Sequence, residues 1–168
     1  MPNEKLIAFY RQEGTDDRGR RIDEIWSFSL EELEGVHDYI QWLFPLAERS
    51  AFNPGAPLLD DETIAPFRED ATLRGNLERS LRVMLDFYGL AIAGQEILRV
   101  PTFTERSRNW LTPYNHNFLR LTRILKSLSL LGLDDRATQL MACLEGIDRH
   151  RPGVIGAETM RYWRAAAA

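Results

Sequence analysis

The stretch DATLRGNLERSLRVMLDFYG, residues 70–89, decides the fold class. Leu73, Leu77, Leu81, Met84, Leu85 and Tyr88 recur at spacings of three and four, the repeat that sets side chains along one face of an α-helix. Gly89 follows the last of them, where a residue free to take a left-handed conformation commonly ends a helix. Working outward, Leu121, Ile124, Leu125, Leu128 and Leu131 form a second stripe. Asn115 or Asn117 caps it, and Gly132 closes it. A further helix is expected from Asp134 to about His150, ending at HRPG, and a terminal one over AETMRYWRAAAA. Upstream, Ser29 and Glu32 form a capping box that opens a helix predicted from about Leu30 to Phe44, with Pro45 as its stop. A short helix beginning near Asp60 or Asp61 should break near Asp70. The stretch AIAGQEILRVPTF, residues 91–103, is poorly periodic and reads as a connector. No stretch alternates over strand length. The expectation is an all-α, irregular single-domain bundle of about six to eight helices over residues 1–168.

Composition limits the function classes. The chain has 168 residues, 44% hydrophobic and 27% charged, with a net charge of −4. These are ordinary globular proportions, and the acidic balance argues against general nucleic-acid binding, which needs a broad basic surface. Cys143 has no second cysteine to pair with, which suits a reducing compartment. No apolar run approaches the roughly 20 residues of a membrane span. The first residues lack the apolar core of a secretory signal. A soluble protein of the cytoplasm is expected.

Chemistry-bearing patterns are sparse. Glu34 and His37 share the Glu-x-x-His spacing of di-metal carboxylate bundles, but no second copy exists, so no metal site is expected. A zinc site lacks ligands, with three histidines and one cysteine in the chain. There is no nucleotide-binding glycine motif and no nucleophile elbow, so no cofactor is expected. Asn115, His116 and Asn117 stand where a helix begins, a place where backbone N–H groups attract anions, although asparagine is also a common cap. Residues 104–126 hold five positive charges against Glu105, a balance of +4. Residues 29–38 hold four negative charges, a balance of −4. In HDYIQWLFPL, residues 37–46, helical phase places Tyr39, Trp42 and Leu43 near one face and His37, Asp38 and Gln41 on another.

The segments FYRQEG, RIDEIW, HDYIQWLFPL, MLDFYGL and NHNFLRLTRILKSLSLLGL, in this order, resemble the opioid growth factor receptor conserved region. The resemblance runs from about Phe9 to the helix after Gly132. Animal members of that family are described as receptors for an enkephalin peptide and are associated with the nucleus and with growth control. The long flanks and repeats of those receptors have no counterpart here, and the family offers no established catalytic residues to carry over. The resemblance implies a ligand- or peptide-binding helical domain. Its partner would be a short peptide or small polar or anionic ligand, and self-association is a further expectation. His37, Gln41, Trp42, Trp110, Asn115, His116, Asn117 and Arg120 are the candidate binding residues. A small enzyme using His37 and His116 as acid and base, or a pure interaction module, is the alternative.

Overall fold

The computed structural model describes residues 2–168. Ten helices and one two-stranded sheet occur among the described residues. The fold is predominantly helical, at 59%, but it is not strictly all-α, and the helices outnumber the six to eight expected. The chain groups into two compact units. The first is 1–81 with 130–132, and the second is 82–129 with 133–168.

The first unit begins with α1 (Glu4–Tyr10), capped by Asn3, whose side chain accepts the Leu6 N–H. It continues through α2 (Ile22–Trp26), α3 (Leu30–Gly35) and α4 (Ile40–Leu43). The capping box at Ser29 and Glu32 is present. The single helix expected over 30–44 is instead α3 and α4 with a break between them. Val36 has extended backbone (ψ 129°), and the side chains of Asp38 and Tyr39 are held by bonds that a continuous helix would not make. Asp38 bonds Arg20 (2.9 Å) and Arg18 (3.1 Å), and the Tyr39 hydroxyl donates to the Leu33 carbonyl (2.6 Å). Those bonds outweigh helical periodicity. Next is α5 (Asp61–Glu69), which carries Pro66 and ends at Asp70 as expected, followed by the start of α6 (Ala71–Tyr88).

Buried aromatic rings form this unit's core. Phe9 meets Tyr10 and Trp42 edge-on, and Tyr10 meets Phe67 in the same way. The Tyr10 hydroxyl bonds the Leu43 carbonyl and the Ser80 hydroxyl, and Ser80 also accepts the Trp26 indole N–H at 2.9 Å. Burial pushes the Tyr10 phenol well above its ordinary pKa. The hydroxyl therefore stays protonated and keeps donating.

The second unit holds the end of α6, then β1 (Leu90–Ala93), β2 (Glu96–Arg99), α7 (Phe103–Trp110), α8 (Asn117–Leu130), α9 (Asp134–His150) and α10 (Ala157–Ala167). The region expected to be a connector contains an antiparallel hairpin in which Leu90 faces Arg99 and Ala93 faces Glu96. Its two-residue loop is Gly94-Gln95. Gly94 has φ 63°, and Gln95 is not in the positive-φ region, the pattern of a type II′ turn. The strands are four residues long, with four of their eight residues exposed, two half-buried and two buried, too short to show alternation. Gly89 (φ 80°) ends α6 as the sequence suggested, and its carbonyl accepts the Val100 N–H at 3.0 Å. The terminal helix α10 is anchored. Trp163 and Ala166 are buried, and the Trp163 indole donates to the Phe118 carbonyl at 3.1 Å.

Candidate functional site

Helix α7 follows the hairpin directly, and its register makes a wall. Thr104, Ser107 and Arg108 fall at i, i+3 and i+4, so they share one face, and the capping residue Leu111 follows them at i+7. On α9, Ile147 and His150 fall at i and i+3, and Arg151 is the residue that caps its C-terminus. These two faces, with Arg99, Val100, Pro101, Phe103 and Thr112, line a cleft of about 640 Å³. That size lies within the range of small-molecule sites.

The cleft's charge is one-sided. Arg99, Arg108 and Arg151 line it with His150, and no carboxylate does. None of the four makes an ion pair among the described residues. The guanidinium of Arg99 lies 5.8 Å from the centre of the Phe103 ring, a cation–π contact that steadies it against the apolar wall. Thr112 is fixed from behind: its hydroxyl oxygen accepts from the Asn115 amide at 2.9 Å, so its own O–H remains available to donate. Chemically, this is a concave site with several guanidinium forks, a hydroxyl donor and an apolar floor. That set suits a planar or tetrahedral oxyanion carried on an apolar group. Each basic residue at a helix end also complements the helix dipole. That explains Arg108 and Arg151 singly. It does not explain why the ends of α7, α9 and β2 bring cations to one cleft without an acid.

The residues singled out from the sequence fall into distinct places. Asn115 is a structural staple. Its amide donates to Thr112 and to the Asn109 carbonyl, and its oxygen accepts from the Asn117 N–H at 2.9 Å where α8 begins. Asn117 is fully buried, and its oxygen accepts from the Tyr88 hydroxyl. Trp110 is fully buried behind α7, and its indole donates to the Tyr88 carbonyl at 3.0 Å. Arg120 is buried on α8, while His116 is exposed at the loop before it. Tyr114, one residue before Asn115, is fully exposed and takes φ 58°.

In the first unit, Gln41 and Trp42 are buried. The Gln41 amide donates to the carbonyl of His37, whose side chain is exposed. The Trp42 indole N–H is buried with no hydrogen-bond partner among the described residues. The structure thus joins Asn115, Asn117 and Tyr88 in one network and sets Thr112 of the cleft upon it. The cleft cations themselves were not singled out in the sequence, apart from Arg108 within the basic stretch. The available signal was the shared helical face of Thr104, Ser107 and Arg108.

Elsewhere in the second unit, a shallower cleft lined by β2 and α9 includes Cys143. Burial pushes its thiol up to about 11, and the charge of Arg99 only partly offsets this. No group of three or more potential metal ligands gathers among the described residues. No described helix is long and apolar enough to cross a membrane.

The model of the opioid growth factor receptor conserved region matches residues 7–167. The mouse opioid growth factor receptor is 38% identical over 135 residues, which is 76% of this chain and 21% of that protein. The human receptor is 36% identical over the same length. The opioid growth factor receptor-like protein 1 of Xenopus tropicalis is 38% identical over 122 residues, 70% of this chain and 23% of that protein. The chain therefore spans about a fifth to a quarter of the length of these relatives. No solved structure matches it. With a match that covers nearly its whole length, the chain belongs to the opioid growth factor receptor conserved-region family.

Proposed function

We propose that this chain is a ligand-binding module whose cleft between α7 and the end of α9 holds the anionic group of a short peptide or small molecule. One observation carries the reading: Arg99, Arg108, Arg151 and His150 line a single concavity with no carboxylate and no ion-pair partner among the described residues. Cations left unpaired around one cleft repel one another, and an anion relieves that repulsion while gaining forked hydrogen bonds. Asn115 takes part by positioning Thr112, and Trp110 by packing behind α7. Asn117 supports Asn115 from the interior. The relatives' name, receptor, accords with a binding role.

The test is a thermal-shift screen of short peptides, carboxylic acids and phosphate esters, followed by calorimetric titration of hits against wild type and the double variant Arg108→Gln/Arg151→Gln. Anionic hits should weaken more than tenfold in the variant, since each charge-assisted bond is worth about 1.5–3 kcal/mol. Their affinity should also fall as salt rises. Hits that bind both proteins equally, or hits that are all neutral, would place the site elsewhere.

A further inference from the structure

The charge and shape of this cleft go beyond binding an anion in general. We propose that it selects a phosphate monoester dianion carried on an aromatic group, in preference to a carboxylate. The inference rests on the anion-site reading above and adds the class of anion and of its carrier.

The first argument is stoichiometric. A carboxylate offers two oxygens and one negative charge, which a single arginine fork can satisfy. Three arginines line this cleft, so a carboxylate leaves two of them uncompensated. A phosphate monoester offers three terminal oxygens and a charge of about −1.5 to −2 at neutral pH. It can accept from several guanidinium groups at once, and the Thr112 hydroxyl, oriented by Asn115, adds a neutral donor. A phosphate diester, with a single charge and two free oxygens, returns to the carboxylate's position.

The second argument concerns the carrier. Val100, Pro101, Phe103, Leu111 and Ile147 supply the remaining wall. Phe103 and the Arg99 guanidinium already lie ring against cation, and a guanidinium plane stacks on aromatic groups in general. The volume of about 640 Å³ exceeds what a bare phosphate fills. Inorganic phosphate should therefore bind more weakly than an aryl phosphate, because it leaves the apolar wall in water.

The experiment titrates the full chain, by calorimetry at fixed ionic strength, with phenyl phosphate, benzoate, methyl phenyl phosphate and inorganic phosphate. Each is repeated with Arg108→Gln and with Arg108→Lys, exposed substitutions whose folding is checked by circular dichroism. Phenyl phosphate should bind at least tenfold tighter than each of the other three. Arg108→Gln should weaken it at least tenfold, and Arg108→Lys should fall between, because lysine keeps the charge but loses the fork.

Benzoate or the diester binding as tightly as phenyl phosphate would overturn the dianion preference while leaving an anion site in place. Inorganic phosphate matching phenyl phosphate would overturn the aromatic carrier. No binding by any probe would overturn the anion site itself. A blocked phosphotyrosine tripeptide separates the sources. Tighter binding than phenyl phosphate upholds the proposal with a phosphorylated polypeptide as ligand, and equal binding upholds it with a free small ester.

Discussion

Gly89 joins α6 to the hairpin, and replacing it with alanine tests how the second unit positions its cleft. Two costs coincide there. The backbone has φ 80°, where an L side chain costs about 1–2 kcal/mol. An added Cβ would also lie 2.5 Å from the Phe103 Cα and 2.9 Å from the Phe103 nitrogen. These are backbone atoms at the start of α7, so relief requires the helix to move rather than a side chain to swing away. Overpacking of this kind costs about 1–3 kcal/mol. The sum for Gly89→Ala is about 2–5 kcal/mol.

Gly153 provides the control. It has φ 85°, but nothing lies within 4 Å of its would-be Cβ, so Gly153→Ala should incur only the conformational cost of about 1–2 kcal/mol. Both variants are read by urea unfolding followed through tryptophan fluorescence, and by melting temperature. For a chain of this size 1 kcal/mol corresponds to about 2–4 °C. The alanine at 89 should therefore melt several degrees below the alanine at 153. Equal losses would show that α7 does not press on the end of α6 as described.

Two further outcomes follow from particular hydrogen bonds. Trp110→Phe removes an indole N–H that bonds the Tyr88 carbonyl and leaves that buried acceptor unpaired, whereas Trp42→Phe removes an N–H that has no partner. The first should cost about 1–3 kcal/mol more than the second in urea titrations, and a difference of the opposite sign would refute the assignment. Asp60 caps α5 by accepting from the Thr63 hydroxyl and N–H, which lower its pKa; Asp70 is lowered chiefly by the Thr72 N–H, with Arg11 assisting. Their stabilisation is complete above the ordinary carboxylate value of 3.8. It is lost as the pH falls through the lower folded values. The urea midpoint should drop on acidification below about 4, less steeply in Asp60→Asn, and identical slopes would sink the reasoning.

What was legible in the sequence was whatever repeats locally. The stripe from Leu73 to Tyr88, its end at Gly89, the capping box at Ser29, the cap expected at Asn115 or Asn117 and the helix end at Gly132 each rest on spacings of a few residues. They appear where periodicity and capping predict. The hairpin depends on a turn, Gly94-Gln95, between strands of four residues, so its only strong local sign was the glycine. The break at 36–39 depends on Arg18 and Arg20, almost twenty residues upstream, and no window over HDYIQW contains them. For the same reason no stretch of the sequence displays the cleft. Arg99, Arg108 and Arg151 come from β2, α7 and the end of α9, and only the fold brings them to one concavity.

The two units use charge in opposite ways, and the contrast separates structure from site. In the first, Asp16 is buried, and its carboxylate accepts from the Arg18 and Arg20 N–H groups and from the Arg20 side chain. Burial works against the Arg20 charge, but the bonds to Asp16 and Asp38 outweigh it and raise its pKa. That arginine is paired with two acids. Removing either acid would strand a charge that the fold has partly desolvated, the circumstance in which a pair becomes costly to break. Asp38 in HDYIQWLFPL thus belongs to a structural network, and Tyr39, Gln41 and Trp42 beside it are buried. In the second unit, Arg99, Arg108 and Arg151 remain exposed around a cleft without an acid to answer them. A chain that pairs Arg20 with two acids has the means to pair the others. Packing alone does not call for unpaired cations gathered in a concave, apolar-walled cleft, and that arrangement supports the proposed anion site.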